Sequence, residues 1–373
     1  MDLLDKIEKA KTEKWKICIY GLGLIGSNFS DECLSYFDLV ADYYCDGNND
    51  VLKKWNAPDE KRIMRDRLIR YPFDLLLFVF ISENAHGKLY GDFEKNPHLH
   101  IVTWNEIQKC EKVISSYFHI MELPHIFLKK KDKFIEENKN RMNTKIAVFT
   151  CITGGYDKLI KPNKISNQCD YFLITDVPPE VKIENDEFYK RIPISLVVPE
   201  ELNNPKDQNR YCKMHGFQLF QEYDYSIYID GSIRIIGDIV ELINKVGKYG
   251  IAFHKCSFCN DVYEHAMSLS IRSRIKRKDA CIEMKKLVQQ GFPRFYSLAE
   301  CGVIVSNHTN EMGRNILIEW NDYYNCALAK RDQLYLPYIL WRHGIEIEEV
   351  CTLPGDLRTN GYFELISLHT GFQ

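Results

Sequence analysis

Between Asn209 and Ile235 the chain reads NRYCKMHGFQLFQEYDYSIYIDGSIRI, and this stretch narrows the choice of fold more than any other. It reads as a helix, a short turn and a buried strand that ends on a carboxylate. Arg210, Lys213, Phe217 and Phe220 recur at intervals of three and four, which puts them on one helix face. A stripe that begins with two cations and continues with two aromatics turns inward, away from water. The cations then need an anionic partner, because an unpaired buried charge is very costly. The strand Tyr225 to Ile229 delivers Asp230 to its C-terminal end, where open α/β sheets place their ligands. Two partners fit: a metal-bound diphosphate held between the cations and Asp230, or Asp230 itself in a plain core salt bridge.

The same pattern recurs along the C-terminal two-thirds of the chain. Lys145 to Cys151 (KIAVFTC) is an apolar strand that runs into Gly154-Gly155, with Tyr156 and Asp157 beside them. The turn gives a nucleobase or ribose somewhere to sit, with Tyr156 as a stacking face, though a bare Gly-Gly turn reads the same way. Tyr171 to Asp176 is a second strand that closes on an acid. After Asp230 come a strand at Gly250 to His254 and an acid-led buried strand from Glu300 to Ser306. Next is the cluster Lys330-Arg331-Asp332-Gln333, ahead of the helix LYLPYILWRHG. Asp332 is placed to cap that helix. Beside the Gln333 amide it is equally placed for sugar recognition or chemistry at an anomeric carbon. Cys256 and Cys259 form a CxxC without a second pair, and His254 and His265 fall outside zinc-finger spacing. The segment from Ile271 to Leu287 is strongly basic, which suits either a solvated helix or contact with an anionic acceptor or with lipid headgroups.

The N-terminal third has its own signature. Lys16 to Tyr20 is a strand, and GLGLIGS follows it, with Gly21, Gly23 and Gly26 at GxGxxG spacing. A second strand, Leu39 to Cys45, ends on Asp46, where a ribose-binding acid would sit in a dinucleotide fold. Asp74 to Ile81 and Ile101 to Thr103 supply further strands. These residues are compatible with an NAD-like nucleotide. They are also compatible with glycines that serve only tight helix–strand packing. The domain carries no acid–base pair, so packing or regulation is the preferred reading. Residues 126–143, dense in Lys, Glu and Asn, read as a linker helix between residues 1–125 and 144–373.

A chain of 373 residues is long for one core, which supports that division. A net charge of -3 and a pI near 6.4 argue against a general nucleic-acid binder. No apolar run spans a bilayer, and the first sixteen residues lack the apolar core of a signal peptide. Thirteen cysteines, many inside apolar strands, suit reduced thiols. The expected setting is the cytoplasm, with room for contact at the inner face of the membrane.

Taken in order, FTCITGGYDKL, DYFLITD, the Asn209–Ile235 stretch, HKCSFCNDVYEHA, FPRFYSLAECGVIV and KRDQLYLPYIL resemble a glycosyltransferase-like family. It includes plant turgor-regulation-defect and mucilage-related proteins together with bacterial relatives. The N-terminal part resembles the small Rossmann-like modules fused to sugar-modifying enzymes. The resemblance implies an α/β chain in which a Rossmann-like parallel-sheet domain precedes a GT-A-like nucleotide-sugar domain. It further implies a nucleotide-sugar donor, a glycan or lipid-linked acceptor and a Mn²⁺ or Mg²⁺ ion. In that scheme Asp230, Ser232 and His369 face the metal, although Asp230-Gly-Ser232 lacks the second carboxylate of a DxD motif. Arg210, Lys213, Arg331 and Gln333 then hold the donor, along with Gly154, Tyr156, Asp157 and Asp176. Asp332 and Glu300 serve the reacting sugar. A ceramidase-like hydrolase and a non-catalytic nucleotide-binding assembly protein are the rival readings.

Overall fold

The computed structural model describes residues 1–54, 57–81, 91–125 and 144–366. The chain forms two compact units, Met1–His125 with Tyr263–Gly291, and Ile126–Val262 with Phe292–Gln373. The stretch expected as a linker helix, 126–143, lies outside the described residues.

In the first unit, β1 (Lys16–Tyr20), β2 (Tyr43–Cys45), β3 (Leu75–Val79) and β4 (Leu99–Thr103) form an all-parallel sheet in the order β2-β1-β3-β4. Each residue of β3 is buried, as expected of a parallel strand covered on both faces. The chain leaves β1 through Gly21, whose φ of +87° only glycine adopts readily, and enters the helix Leu24–Ser35. Gly26 packs that helix against the turn so closely that a Cβ there would lie 2.1 Å from the Gly21 carbonyl oxygen.

The helices Val262–Ile271 and Arg277–Gln289 fold with this unit although they fall late in the chain. Arg277 forms a two-pronged ion pair with Glu32, one contact at 2.7 Å, and stacks over Tyr117 at 4.1 Å. The Tyr117 hydroxyl donates to Ser270 Oγ at 2.8 Å, and Gln108 Nε2 donates to Glu264 at 3.0 Å. Of the basic residues in this segment, Arg274, Lys276, Lys278, Lys285 and Lys286 are exposed, whereas Arg277 is half-buried in its pair with Glu32.

The second unit is built on a mixed sheet of β5 (Ile146–Ile152), β6 (Cys169–Thr175), β7 (Lys190–Pro193), β8 (Tyr225–Ile229), β10 (Ile251–Lys255) and β11 (Ala299–Asn307). The strand order is β10-β11-β8-β5-β6-β7, with β8, β5, β6 and β7 parallel and β11 antiparallel to both its neighbours. A separate ladder pairs β9 (Ile233–Ile235) with β12 (Phe363–Leu365). Val148, Ile227, Val303 and Val305 form the centre of one core face. The C-terminal ends of β5, β6 and β8 and the start of β11 therefore lie along one edge.

The helix that carries the cations runs only from Pro205 to Met214, capped by the Asn204 side chain with proline at its first position. It does not continue through Phe217 and Phe220 as the periodicity predicts. The chain turns at His215, and Gly216 drops onto the sheet, where a Cβ would lie 2.7 Å from Ser226 Oγ. Phe220 packs separately, against Phe149 and Phe172 at ring distances of 4.9 and 4.8 Å.

Candidate active site

Helix and sheet edge are pinned together by polar groups. Thr153 Oγ1 donates to the Pro205 carbonyl at 2.7 Å, and Asn209 Nδ2 donates to the Cys151 carbonyl at 2.6 Å. Arg210 and Lys213, one helical turn apart, both reach Asp332. Lys213 Nζ donates to its Oδ2 at 2.7 Å, and Arg210 Nε lies 3.1 Å from the same oxygen. Burial is nearly complete, with 2% of the Lys213 side chain and 4% of that of Asp332 exposed, so this pair is desolvated. Aromatic faces complete the cage: the Lys213 ammonium sits 5.5 Å from the Tyr228 ring and 5.9 Å from that of Trp320. Trp320 Nε1 also donates to the Asp332 carbonyl at 2.9 Å.

Burial alone would raise the pKa of Asp332, but Arg210, Lys213 and Arg331 outweigh it and hold the carboxyl well below the usual range. Burial likewise opposes the charge on Arg210, and Asp332 and Asp230 more than restore it. Asp332 is thus held in its carboxylate form at neutral pH by the three cations around it. The Nε–H groups of Arg210 and Arg331 are both buried without an aligned acceptor. Buried donors in that state are costly unless something else accepts from them.

Asp230 follows β8 directly. Its backbone N–H donates to the Gly302 carbonyl at 2.8 Å, and its Oδ1 accepts from the Tyr228 hydroxyl at 2.6 Å. Gly302 leaves room for the second oxygen, since a Cβ there would lie 3.2 Å from Asp230 Oδ2. Arg210, Lys213 and Arg331 therefore all act on Asp332, and Asp230 supports Arg210 from the end of β8.

Residues 129–353, more than half of the chain, match the family described as TOD1/MUCI70, glycosyltransferase-like domain. The chain belongs to the TOD1/MUCI70 family. Among solved structures, that of mouse xyloside xylosyltransferase 1 in its apo form is similar, at 11% identity and a TM-score of 0.35, over 54% of this chain and 83% of that one. No curated protein matches the chain.

Within the TOD1/MUCI70 domain, the other residues singled out from the sequence divide into two groups. Gly154, Tyr156, Asp157 and Asp176 do gather at the same edge of the sheet. The Gly154 N–H donates to Asp176 Oδ2 at 2.7 Å, Tyr156 is exposed, and Asp157 Oδ2 lies 2.9 Å from where a Cβ on Gly231 would sit. Glu300 and Gln333 are tied into the fold. The Glu300 carboxylate accepts from the Leu357 N–H at 2.8 Å and from Arg358, and Gln333 Nε2 donates to the Ala299 carbonyl at 3.0 Å. Ser232 lies in the turn to β9, where its carbonyl accepts from the Ile366 N–H at 2.8 Å. His369 lies outside the described residues.

Among the described residues the donor set around Asp230 is poor for a divalent ion. Asp230 already accepts from the Tyr228 hydroxyl and faces Arg210, and Ser232 stands where a second acid would help. Among the described residues no group of three His, Cys, Asp or Glu is arranged to hold a metal. Gly21, Gly23 and Asp46 lie in the first unit and line a cleft of about 590 Å³ there.

Sequence reasoning overlooked Tyr228, Asn209 and Trp320. Tyr228 was within reach, because it lies two residues before Asp230 and so shares a face of the strand with it. Trp320 was not, because its place follows only from how the helix Glu311–Cys326 packs.

Proposed function

We propose that the second unit is a glycosyltransferase of GT-A type that moves a sugar from a nucleotide-diphosphate donor to a glycan or lipid-linked precursor. Membership of a glycosyltransferase-like family supports the reaction class. The observation that carries the mechanism is the gathering of Arg210, Lys213 and Arg331 around the buried Asp332, with Lys213 and Arg210 both on its Oδ2. A departing nucleoside diphosphate develops negative charge as the glycosidic bond breaks, and fixed cations in a dry site stabilise it most effectively. Arginine suits phosphate through its forked geometry. Asp332 acts here as a positioning residue, holding Arg210 and Lys213 in place before the donor arrives. Tyr156 supplies a face for the base, and Asp230, fixed by Tyr228, faces the sugar or the diphosphate.

Arg210, Lys213 and Arg331 do in this reading what a divalent ion does at a DxD motif. Asp230, Ser232 and His369 are the residues a Mn²⁺ or Mg²⁺ ion would have to use. We assign the reaction to the cytoplasm, at the inner face of a membrane, on a surface-glycan precursor.

The test is donor hydrolysis and transfer with a panel of UDP- and GDP-sugars, with and without Mn²⁺, on the wild type, Arg210→Met and Asp230→Ala. The reading expects release of nucleoside diphosphate that falls at least about a hundredfold in Arg210→Met, the loss typical of a charge-stabilising donor. Turnover at wild-type rate in Arg210→Met would remove the cations from the mechanism. Loss of activity on chelation, restored by Mn²⁺, would return the leading role to a metal at Asp230.

A further inference from the structure

The first unit has a cleft of its own, lined by Tyr20, Gly21, Gly23, Asp46, Phe80 and Arg272 among others, and its volume of about 590 Å³ suits a small ligand. The three glycines of the turn that borders it, Gly21, Gly23 and Gly26, are not equivalent. Gly21 is required by its φ of +87° and Gly26 by a backbone approach that admits no Cβ. Gly23 is required by neither. Its φ is -65°, and a Cβ there would meet nothing within 4 Å. Neither backbone conformation nor contact at Cβ calls for glycine here, yet the residue opens directly onto the cleft.

The charges around the cleft are as uneven as its glycines. Asp46 is satisfied internally, since Oδ2 accepts from the Leu22 N–H at 2.6 Å and Oδ1 from the Asn48 N–H at 2.9 Å. Arg272 comes from the end of the helix Val262–Ile271, forms no ion pair among the described residues, and has a buried Nε–H without an acceptor. Burial and the nearby Arg274 push its pKa down, the direction for a cation that lacks a counter-charge. The helix Leu24–Ser35 also begins here, with Gly23 as its N-cap and no side chain capping it. Its free N–H groups add to the positive potential.

We propose that this cleft binds a nucleotide through its phosphate, seated between the bare backbone at Gly23 and the Arg272 guanidinium, with a ribose hydroxyl donating to Asp46. Each Asp46 oxygen keeps a lone pair for that hydroxyl. Leu24, Ile25, Phe80 and Ile81 offer apolar surface to the base. The site is independent of the transferase reading, because its residues all belong to the first unit.

The test is calorimetric titration of the full-length chain with AMP, ADP, NAD⁺ and inorganic phosphate, on the wild type, Gly23→Val, Arg272→Gln and Arg210→Met. At least one nucleotide should bind the wild type and Arg210→Met alike. Its affinity should fall by about tenfold or more in Gly23→Val and Arg272→Gln, the loss of one charge-assisted contact. Gly23→Val should keep the melting temperature of the ligand-free protein, because its side chain enters open space. Inorganic phosphate should bind more weakly than the nucleotide, and equal affinity would overturn the ribose contact. Nucleotide binding that is unaffected by both first-unit substitutions, or no binding at millimolar concentration, would overturn the site. Loss only in Arg210→Met would place the nucleotide in the second unit instead.

Discussion

Replacing Asp332 with asparagine keeps the shape of the side chain and removes its charge. The Lys213 ammonium, 2.7 Å away with its side chain 2% exposed, would then be buried beside a neutral amide, and Arg210 would lose its nearest carboxylate. Breaking a buried ion pair from one side costs about 3–5 kcal/mol, because the remaining charge stays desolvated. A cost in that range is expected here, since Asp230 is the other acid that supports Arg210 and its Oδ1 already accepts from Tyr228. Urea unfolding followed by tryptophan fluorescence measures it directly, with Trp320 and Trp341 reporting from the second unit. The pH dependence gives an independent check. A carboxyl whose folded pKa is depressed stabilises the protein above its unfolded pKa, and that contribution is lost as pH falls below it. The gap between wild type and Asp332→Asn should therefore be full above about pH 5 and shrink progressively below about pH 4. A variant within about 0.5 kcal/mol of wild type at pH 7 would refute the buried-pair account, because that is the range of an ordinary surface change.

Lys213→Met should cost about 3 kcal/mol, near the low end for such a pair because Arg210 and Arg331 still face Asp332; equilibrium denaturation reads it. Tyr228→Phe removes the 2.6 Å hydrogen bond to Asp230 and should cost about 1.5–3 kcal/mol while slowing donor turnover, measured by denaturation and by nucleotide release. His308 has its pKa lowered to about 4 by burial, so the unfolded chain binds more protons between about pH 4 and 6.5. Stability should fall as pH drops through that window, and His308→Phe should flatten this part of the pH–stability curve. Gly26→Ala places a Cβ 2.1 Å from the Gly21 carbonyl oxygen and should unfold the first unit at room temperature, visible as loss of protection in hydrogen exchange.

Much of this architecture could be read from local pattern. The acid-ended strands at Asp176 and Asp230 and the strand–glycine–helix entry at Gly21 depend on neighbours a few residues apart, and all three lie where the pattern puts them. The inward turn of Arg210 and Lys213 was legible from their spacing, because two cations on an apolar face have to be buried. Their partner was not, since Asp332 lies 119 residues beyond Lys213 and nothing local links the two. The helical stripe fails at His215 because Gly216 packs on Ser226, a tertiary contact that overrides periodicity. The placement of Tyr263–Gly291 in the first unit was hidden for a similar reason. The Glu32–Arg277 and Tyr117–Ser270 contacts join stretches far apart in sequence.

Titration of UDP and GDP into the Gly23→Val chain, with and without the further change Arg210→Met and in the presence of a chelator, bears most directly on the second unit. If a diphosphate is held by Arg210 and its neighbouring cations, at least one of the two nucleotides should bind without metal and weaken about tenfold or more in the double variant. Equal affinity in both chains, or binding that appears only when Mn²⁺ is restored, would contradict it.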